Sequence, residues 1–271
     1  VPEAPELAIL QQELQESVVN RRVVQVEMPK PQGGPPLAEI KKLEEATIIA
    51  VRRRGKLLIL DFSSGYSLLM HLMMVGQVLL SPPFSGEAND VRLVMCFADG
   101  SVLGLGQVAL KYVHLVRADE VEQHPSITKL GLDVLSPELT AARFKALLRG
   151  QRATIKALLL KQSVLAGIGN TYADEILFSA RIHPTRRANS LSDEEAERLY
   201  AATVDTLRRG IEMGGSSEMA FVHIDGRRGR FQEHFAVKQR RGKPCPVCGT
   251  SAEQIRVAGR STYYCLSCQK G

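Results

Sequence analysis

Cys245-Pro-Val-Cys248 and Cys265-Leu-Ser-Cys268 lie near the end of the chain with 16 residues between them. Two Cys-x-x-Cys knuckles at that spacing can close on one tetrahedral zinc ion. Four thiolates fill the tetrahedron and leave no position for water or substrate, so the expected role is structural rather than catalytic. So short a segment has almost no apolar core of its own, and the metal supplies its folding energy. Between the knuckles, Val257 to Tyr264 reads as a β-hairpin with Arg260 near its tip, where a guanidinium can reach phosphate.

Upstream of the cysteines runs a basic stretch, Arg227, Arg228, Arg230, Lys238, Arg240, Arg241 and Lys243, readable as a solvated linker or as a surface that touches phosphate. Before it, Ser192 and Glu195 form a capping box that opens a helix through Leu199, Val204, Leu207 and Ile211, with a stop at Gly214-Gly215. Phe144 to Leu148, Ile155 to Leu160 and Ala173 to Phe178 also carry apolar residues at helical spacing. From Val23 to Val116 the pattern is different. Short apolar runs at 47–51, 56–60 and 92–97, punctuated by Gly55, Gly65 and Asp99-Gly100, read as a β-sandwich or barrel. Leu7, Leu10, Leu14 and Val18 predict one amphipathic helix at the start, with Pro5 tolerable in its first turn. There is no internal repeat.

With 271 residues, 44% of them apolar, the chain can bury one large core or two modest ones, which argues against disorder. Its net charge of +6 favours an acidic partner such as nucleic acid or an anionic membrane. No run approaches the roughly 20 apolar residues of a membrane span, and the first residues carry carboxylates instead of a secretory pattern. The expectation is a soluble intracellular protein. Cys96 stands alone in an apolar stretch and reads as core; the other four cysteines suit a reducing compartment and a metal.

Three stretches together resemble the formamidopyrimidine-DNA glycosylase and endonuclease VIII family. Pro2-Glu3-Ala4-Pro5-Glu6 is similar to the family's N-terminal motif, and Gly167-Ile-Gly-Asn170-Thr-Tyr172-Ala-Asp-Glu175 to its helix-two-turn-helix signature. ArgSerThrTyrTyrCys at 260–265 resembles the arginine-bearing zinc hairpin, and 53–60 and 71–76 resemble family strands. The likeness covers nearly the whole chain. It implies an α+β multidomain protein: an N-terminal helix plus β-sandwich over 1–120, a helical helix-two-turn-helix domain over 121–225, and a basic linker with a C-terminal four-cysteine zinc-finger β-hairpin over 226–271.

The resemblance also implies an activity, a base-excision-repair glycosylase with apurinic/apyrimidinic lyase activity on oxidised bases. A lesion base sits inside the stack, so an enzyme acting at its sugar must extrude the nucleotide. The family's terminal proline amine attacks C1′, expels the base and leaves an imine to the DNA, from which strand cleavage follows. A terminal amine, with a pKa of roughly 8 against roughly 10.4 for lysine, is a plausible nucleophile at neutral pH. Candidate catalytic residues are then Pro2 as nucleophile, Glu3 as proton shuttle, Lys56 assisting the first elimination and Arg260 the second. Asn170 and Arg260 would hold phosphate. His71, Arg152 and Lys156 match positions that the family keeps near DNA, and Met74 matches a residue filling the hole left by the flipped base. Glu6 and Glu175 would support them. One structural zinc, damaged DNA as partner, a monomer, no membrane, no small-molecule cofactor and a bacterial cytoplasmic place on the nucleoid complete the expectation.

Two departures stand out. Val1 precedes Pro2, and a peptide-bonded proline has no amine with which to attack; the reading expects a non-ATG start whose first residue is trimmed. Where the purine-lesion branch carries an arginine and a phenylalanine, this chain has Gly106-Gln-Val-Ala-Leu-Lys-Tyr112. That puts the lesion spectrum in doubt and points to single-stranded or bubble DNA, or to oxidised pyrimidines. Residues 216–231 are expected to cap the lesion. The competing readings are a catalytically silent DNA-binding paralogue and a zinc-ribbon accessory protein; the second leaves the N-terminal motif unexplained.

Overall fold

The computed structural model describes residues 1–31, 33–81 and 90–270. It has two compact units, Val1–Thr128 with Met213–Arg230, and Lys129–Glu212 with Phe231–Gly271. This differs from the expected division at 120 and 225. Carboxylates explain the difference. Glu6 Oε1 accepts from the Ser216 amide at 2.8 Å, which ties 213–230 to the first unit. Glu175, buried in the second, accepts from the amides of Ala236, Val237 and Lys238 at 2.8, 3.0 and 2.8 Å. The stretch after Phe231 is therefore part of a folded unit rather than a solvated linker, and Lys238 within it is buried.

In the first unit, helix α1 (Ala4–Val18) buries the expected Leu7, Leu10, Leu14 and Val18 and starts at a reciprocal Glu3–Glu6 capping box. It is tied by glutamines to Val51 of the strand Ile48–Arg54. Gln11 donates to the Val51 carbonyl at 3.2 Å, and Gln15 accepts from the Val51 amide at 3.0 Å. After β1 (Val23–Glu27) and the short α2 (Leu37–Ile40) come β2 (Ile48–Arg54), β3 (Leu57–Phe62), β4 (Tyr66–Met70), β5 (Gln77–Ser81), β6 (Val91–Phe97), β7 (Val102–Gly106) and β8 (Val113–Arg117). They form two four-stranded antiparallel sheets, ordered β1-β6-β7-β5 and β2-β3-β4-β8, the two layers that a sandwich needs. The unit's first segment ends in α3 (Pro125–Thr128).

The second unit holds α4 (Ala141–Arg149), α5 (Ile155–Leu160), α6 (Asn170–Ser179), α7 (Asp193–Glu212) and a parallel pair, β9 (Leu132–Asp133) with β10 (Leu165–Ala166). The predicted box opens α7: Ser192 Oγ accepts from the Glu195 amide at 3.2 Å and Glu195 accepts from the Ser192 amide at 2.9 Å. Helix α6 crosses α7 at Gly210, where a Cβ would come within 2.5 Å of the Tyr172 ring. Tyr172 itself is fully buried and stacks on Phe231, with centroids 5.0 Å apart. A hairpin of β11 (Glu253–Val257) and β12 (Arg260–Tyr264) follows in register from Val257–Arg260 to Glu253–Tyr264. Among the described residues, no helix is long and apolar enough to cross a membrane.

Candidate active site and nucleic-acid interface

The first unit gathers the expected N-terminal chemistry. Pro2 and Glu3 are buried at the head of α1, where the Glu3 amide donates to Glu6 Oε2 at 2.8 Å. Lys56 follows Gly55 in the β2–β3 turn, and His71 follows β4. Their electrostatics are shared. Burial lowers the pKa of the amino group at residue 1; Glu3 opposes this and Lys56 adds to it. Burial, Lys56 and that amino group together push His71 down to about 4. The ring is neutral at pH 7, and because Nδ1 accepts from the Met73 amide at 3.0 Å, the proton sits on Nε2 as an outward donor.

Met74 lies on a tight turn and is 53% exposed. Met73 beside it has φ +52°, a strained conformation for a residue with a side chain. The turn packs on the 107–111 loop: a Cβ at Gly76 would meet the Leu72 carbonyl at 2.3 Å and Val108 Cγ2 at 2.6 Å. The loop exposes Gln107, Ala109 and Lys111 and buries Val108 and Leu110. The stretch holds no arginine or phenylalanine, and Lys111 Nζ lies 5.1 Å from the Tyr112 ring centroid.

In the second unit the N-terminus of α6 grips the hairpin. Asn170 Nδ2 donates to the Ser261 carbonyl at 2.9 Å, and the Tyr263 amide donates to Asp174 one turn along the helix. Arg260, exposed at the first position of β12, is held by this grip. Arg152 is exposed just before α5. Lys156 departs from expectation. Its side chain is wholly buried, its ammonium lies 2.6 Å from Asp174 and 3.2 Å from the Asn170 carbonyl, and it has no surface to offer DNA. It sits beneath the head of α6, tied to the Asn170 carbonyl and to Asp174. Burial pushes the Asp174 carboxyl up to about 6, and Lys156 pulls it back. Sequence reading missed Asp174, although its place four residues after Asn170 puts both on one helix face.

The four cysteine Sγ atoms lie within 4.8 Å of one another. Cys245–Cys268 and Cys248–Cys265 are 3.8 and 3.5 Å apart, close to the ~3.8 Å edge of a tetrahedron with Zn–S bonds of about 2.3 Å. The donor set fits one structural zinc and leaves no open position for chemistry.

Family models match along the chain: the formamidopyrimidine-DNA glycosylase N-terminal domain over residues 1–107, the formamidopyrimidine-DNA glycosylase H2TH domain over 130–221, and the zinc finger found in FPG and IleRS over 242–271. The chain belongs to the formamidopyrimidine-DNA glycosylase family. It is a base-excision-repair DNA glycosylase. A formamidopyrimidine-DNA glycosylase of Pelotomaculum thermopropionicum is 37% identical, covering 100% of this chain and 99% of that protein. One of Listeria innocua is 35% identical over 100% of both. A solved complex of Lactococcus lactis Fpg with abasic-site DNA superposes with a TM-score of 0.90 at 30% identity, covering 99% of this chain and 100% of that one. Another, of wild-type L. lactis Fpg with DNA containing an oxidised pyrimidine, gives 0.89 at 31% identity over 100% of both chains. These relatives are named for the enzyme, and none of them favours the silent-paralogue or the zinc-ribbon reading. In the glycosylase, the structure brings Pro2, Glu3, Lys56 and His71 into one electrostatic environment and sets Asn170 and Arg260 on one scaffold; Met74 and Arg152 are exposed, each in its own unit.

Proposed function

We propose that the glycosylase removes oxidised bases through an imine formed by the Pro2 nitrogen and then cleaves the strand as a lyase. The observation that carries this reading is the sheltered head of α1, where Pro2 and the acid Glu3 are both buried beside an amine whose pKa burial and Lys56 lower. The Pro2 lone pair attacks C1′, the C1′–base bond breaks with its electron pair going to the base, and Glu3 delivers a proton to the opening sugar ring. The resulting iminium is the electron sink for loss of the 3′ and then the 5′ phosphate, with Lys56 assisting the first elimination and Arg260 the second. His71 donates from Nε2 to a phosphate oxygen, and Asn170, Arg152 and Arg260 bind the backbone. The attack requires every residue before Pro2 to be removed.

The L. lactis complexes contain an abasic site and an oxidised pyrimidine, and we carry both to this chain as substrates. Because the stretch Gly106–Tyr112 carries no arginine or phenylalanine where the resemblance expects them, the orphaned base is left to Met74 alone. This favours oxidised pyrimidines and single-stranded or bubble DNA. The protein acts as a monomer in the bacterial cytoplasm, on the nucleoid.

Borohydride trapping on abasic DNA tests the chemistry. Protein beginning at Pro2 should form a reduced adduct that maps to the N-terminal peptide, and protein that retains Val1 should form none. An absent adduct from Pro2-initiated protein, or one on an internal lysine, overturns the imine reading.

A further inference from the structure

Residues 213–230 contain no helix or strand, yet most of the segment is pinned to α1 and to β5. Glu6 and Glu13 do much of the pinning. They are seven positions apart, so both face one side of the helix about 10 Å apart along its axis. Glu6 takes the Ser216 amide at one end of the segment. At the other end, Glu13 Oε1 lies 2.6 Å from His223 Nδ1, and Glu13 Oε2 accepts from the Ile224 amide at 3.2 Å. His223 Nε2 lies 3.0 Å from the Gly214 carbonyl. Both ring nitrogens therefore face oxygen acceptors, one on the helix and one on the segment itself. Arg227, 3.8 Å from Glu13, and Asp225, paired with Arg227, are the other charges at the clasp. The Leu80 amide donates to the Ile224 carbonyl at 2.7 Å, and Gln77 donates to the Ala220 carbonyl at 2.8 Å.

Between the two clamps the segment presents Glu218 and Met219. Met219 is 48% exposed and its sulfur lies 4.0 Å from the nitrogen of residue 1, while the Glu218 charge acts on that same nitrogen. The helix that bears Pro2 and Glu3 thus also sets where the segment's tip stands over them.

We propose that Glu13 and His223 are positioning residues for base excision: their clasp fixes the far end of 216–224 so that its tip holds the extruded base against Pro2. This rests on the reading of Pro2 as nucleophile. A segment that holds the base matters when a base is present and is idle at a site already abasic.

The test compares Glu13→Gln and His223→Ala with the full-length Pro2-initiated protein. Excision of an oxidised pyrimidine should slow at least tenfold in both, cleavage of abasic DNA should stay within about twofold, and the double variant should be no slower than the worse single one. Amide hydrogen exchange should quicken over 216–224 while α1 and the sheets keep their protection. His223→Gln, which keeps one donor, should recover part of the excision rate. Unchanged excision and exchange in both variants overturns the proposal, and so does a parallel fall of excision and abasic cleavage, which marks general damage. Failure of the nucleophile reading is separate: it appears as loss of the borohydride adduct in the unsubstituted protein.

Discussion

In the second unit Lys156 and Asp174 are both wholly buried and meet at 2.6 Å, whereas in the first Lys56 acts on two groups of its own sign, His71 and the amine of residue 1. The first arrangement neutralises charge and fixes geometry. It holds the head of α6 and, through Asp174 and Asn170, the strand that bears Arg260. The second lowers the proton affinity of both groups, with burial as the main cause and Lys56 adding to it, the direction that suits a nucleophilic amine and a neutral hydrogen-bond donor. Opposite charges paired out of water fix geometry; a lysine neighbour near a terminus shifts the titration of the groups around it.

The comparison breaks first at Lys156. Lys156→Met leaves Asp174 buried without its ammonium and should cost about 3–5 kcal/mol in urea unfolding. Replacing both partners, Lys156→Met with Asp174→Leu, should recover part of that, because the closest pair is removed whole and only Lys238 loses a carboxylate. A loss below about 1 kcal/mol would mean that Lys238, 4.0 Å from Asp174, takes over the pairing and that the contrast between the units is overdrawn.

His71 sharpens the other side. Its pKa lies at about 4 in the folded protein, against about 6.5 unfolded. Between those values the unfolded chain binds more protons, so this group's share of stability is full above pH 6.5 and is lost as pH falls through 4. The shift corresponds to about 3 kcal/mol, most of it gone by pH 4.5. Between pH 7.5 and 4.5, His71→Gln should therefore lose about 2–3 kcal/mol less than the unsubstituted protein. Equal losses would show that the ring is free to protonate and that Lys56 does not govern it.

What the sequence discloses follows from the reach of each interaction. The cysteine knuckles, the Ser192–Glu195 box and the apolar face of α1 are local patterns, and each stands where its spacing places it. Lys156 is expected near DNA by resemblance, and nothing nearby in sequence pairs with it; its partner is 18 residues away and becomes visible only when α5 and α6 pack. The Glu13–His223 clasp joins positions 210 apart. No periodicity announces it. The division of the chain escapes a linear reading for the same reason, since carboxylates on α1 and α6 hold segments that the linear reading assigns to the helix-two-turn-helix domain and to a linker.

Arg260 gives the finest test, because it is a cation of the second unit that, unlike Lys156, is exposed. Exposed charge contributes little to folding, so Arg260→Ala should leave unfolding within about 0.5 kcal/mol. If its guanidinium contacts phosphate, DNA affinity should fall by about tenfold at low salt, and the slope of log affinity against log salt should shrink by about 1. The loss should then fade as salt rises, since the missing contact is one that salt already weakens. An unchanged affinity and slope would remove the hairpin from the phosphate contacts and leave the grip of Asn170 and Asp174 on β12 as architecture alone. A large fall in stability would say that Arg260, like Lys156, is scaffold, and would erase the difference between the two cations.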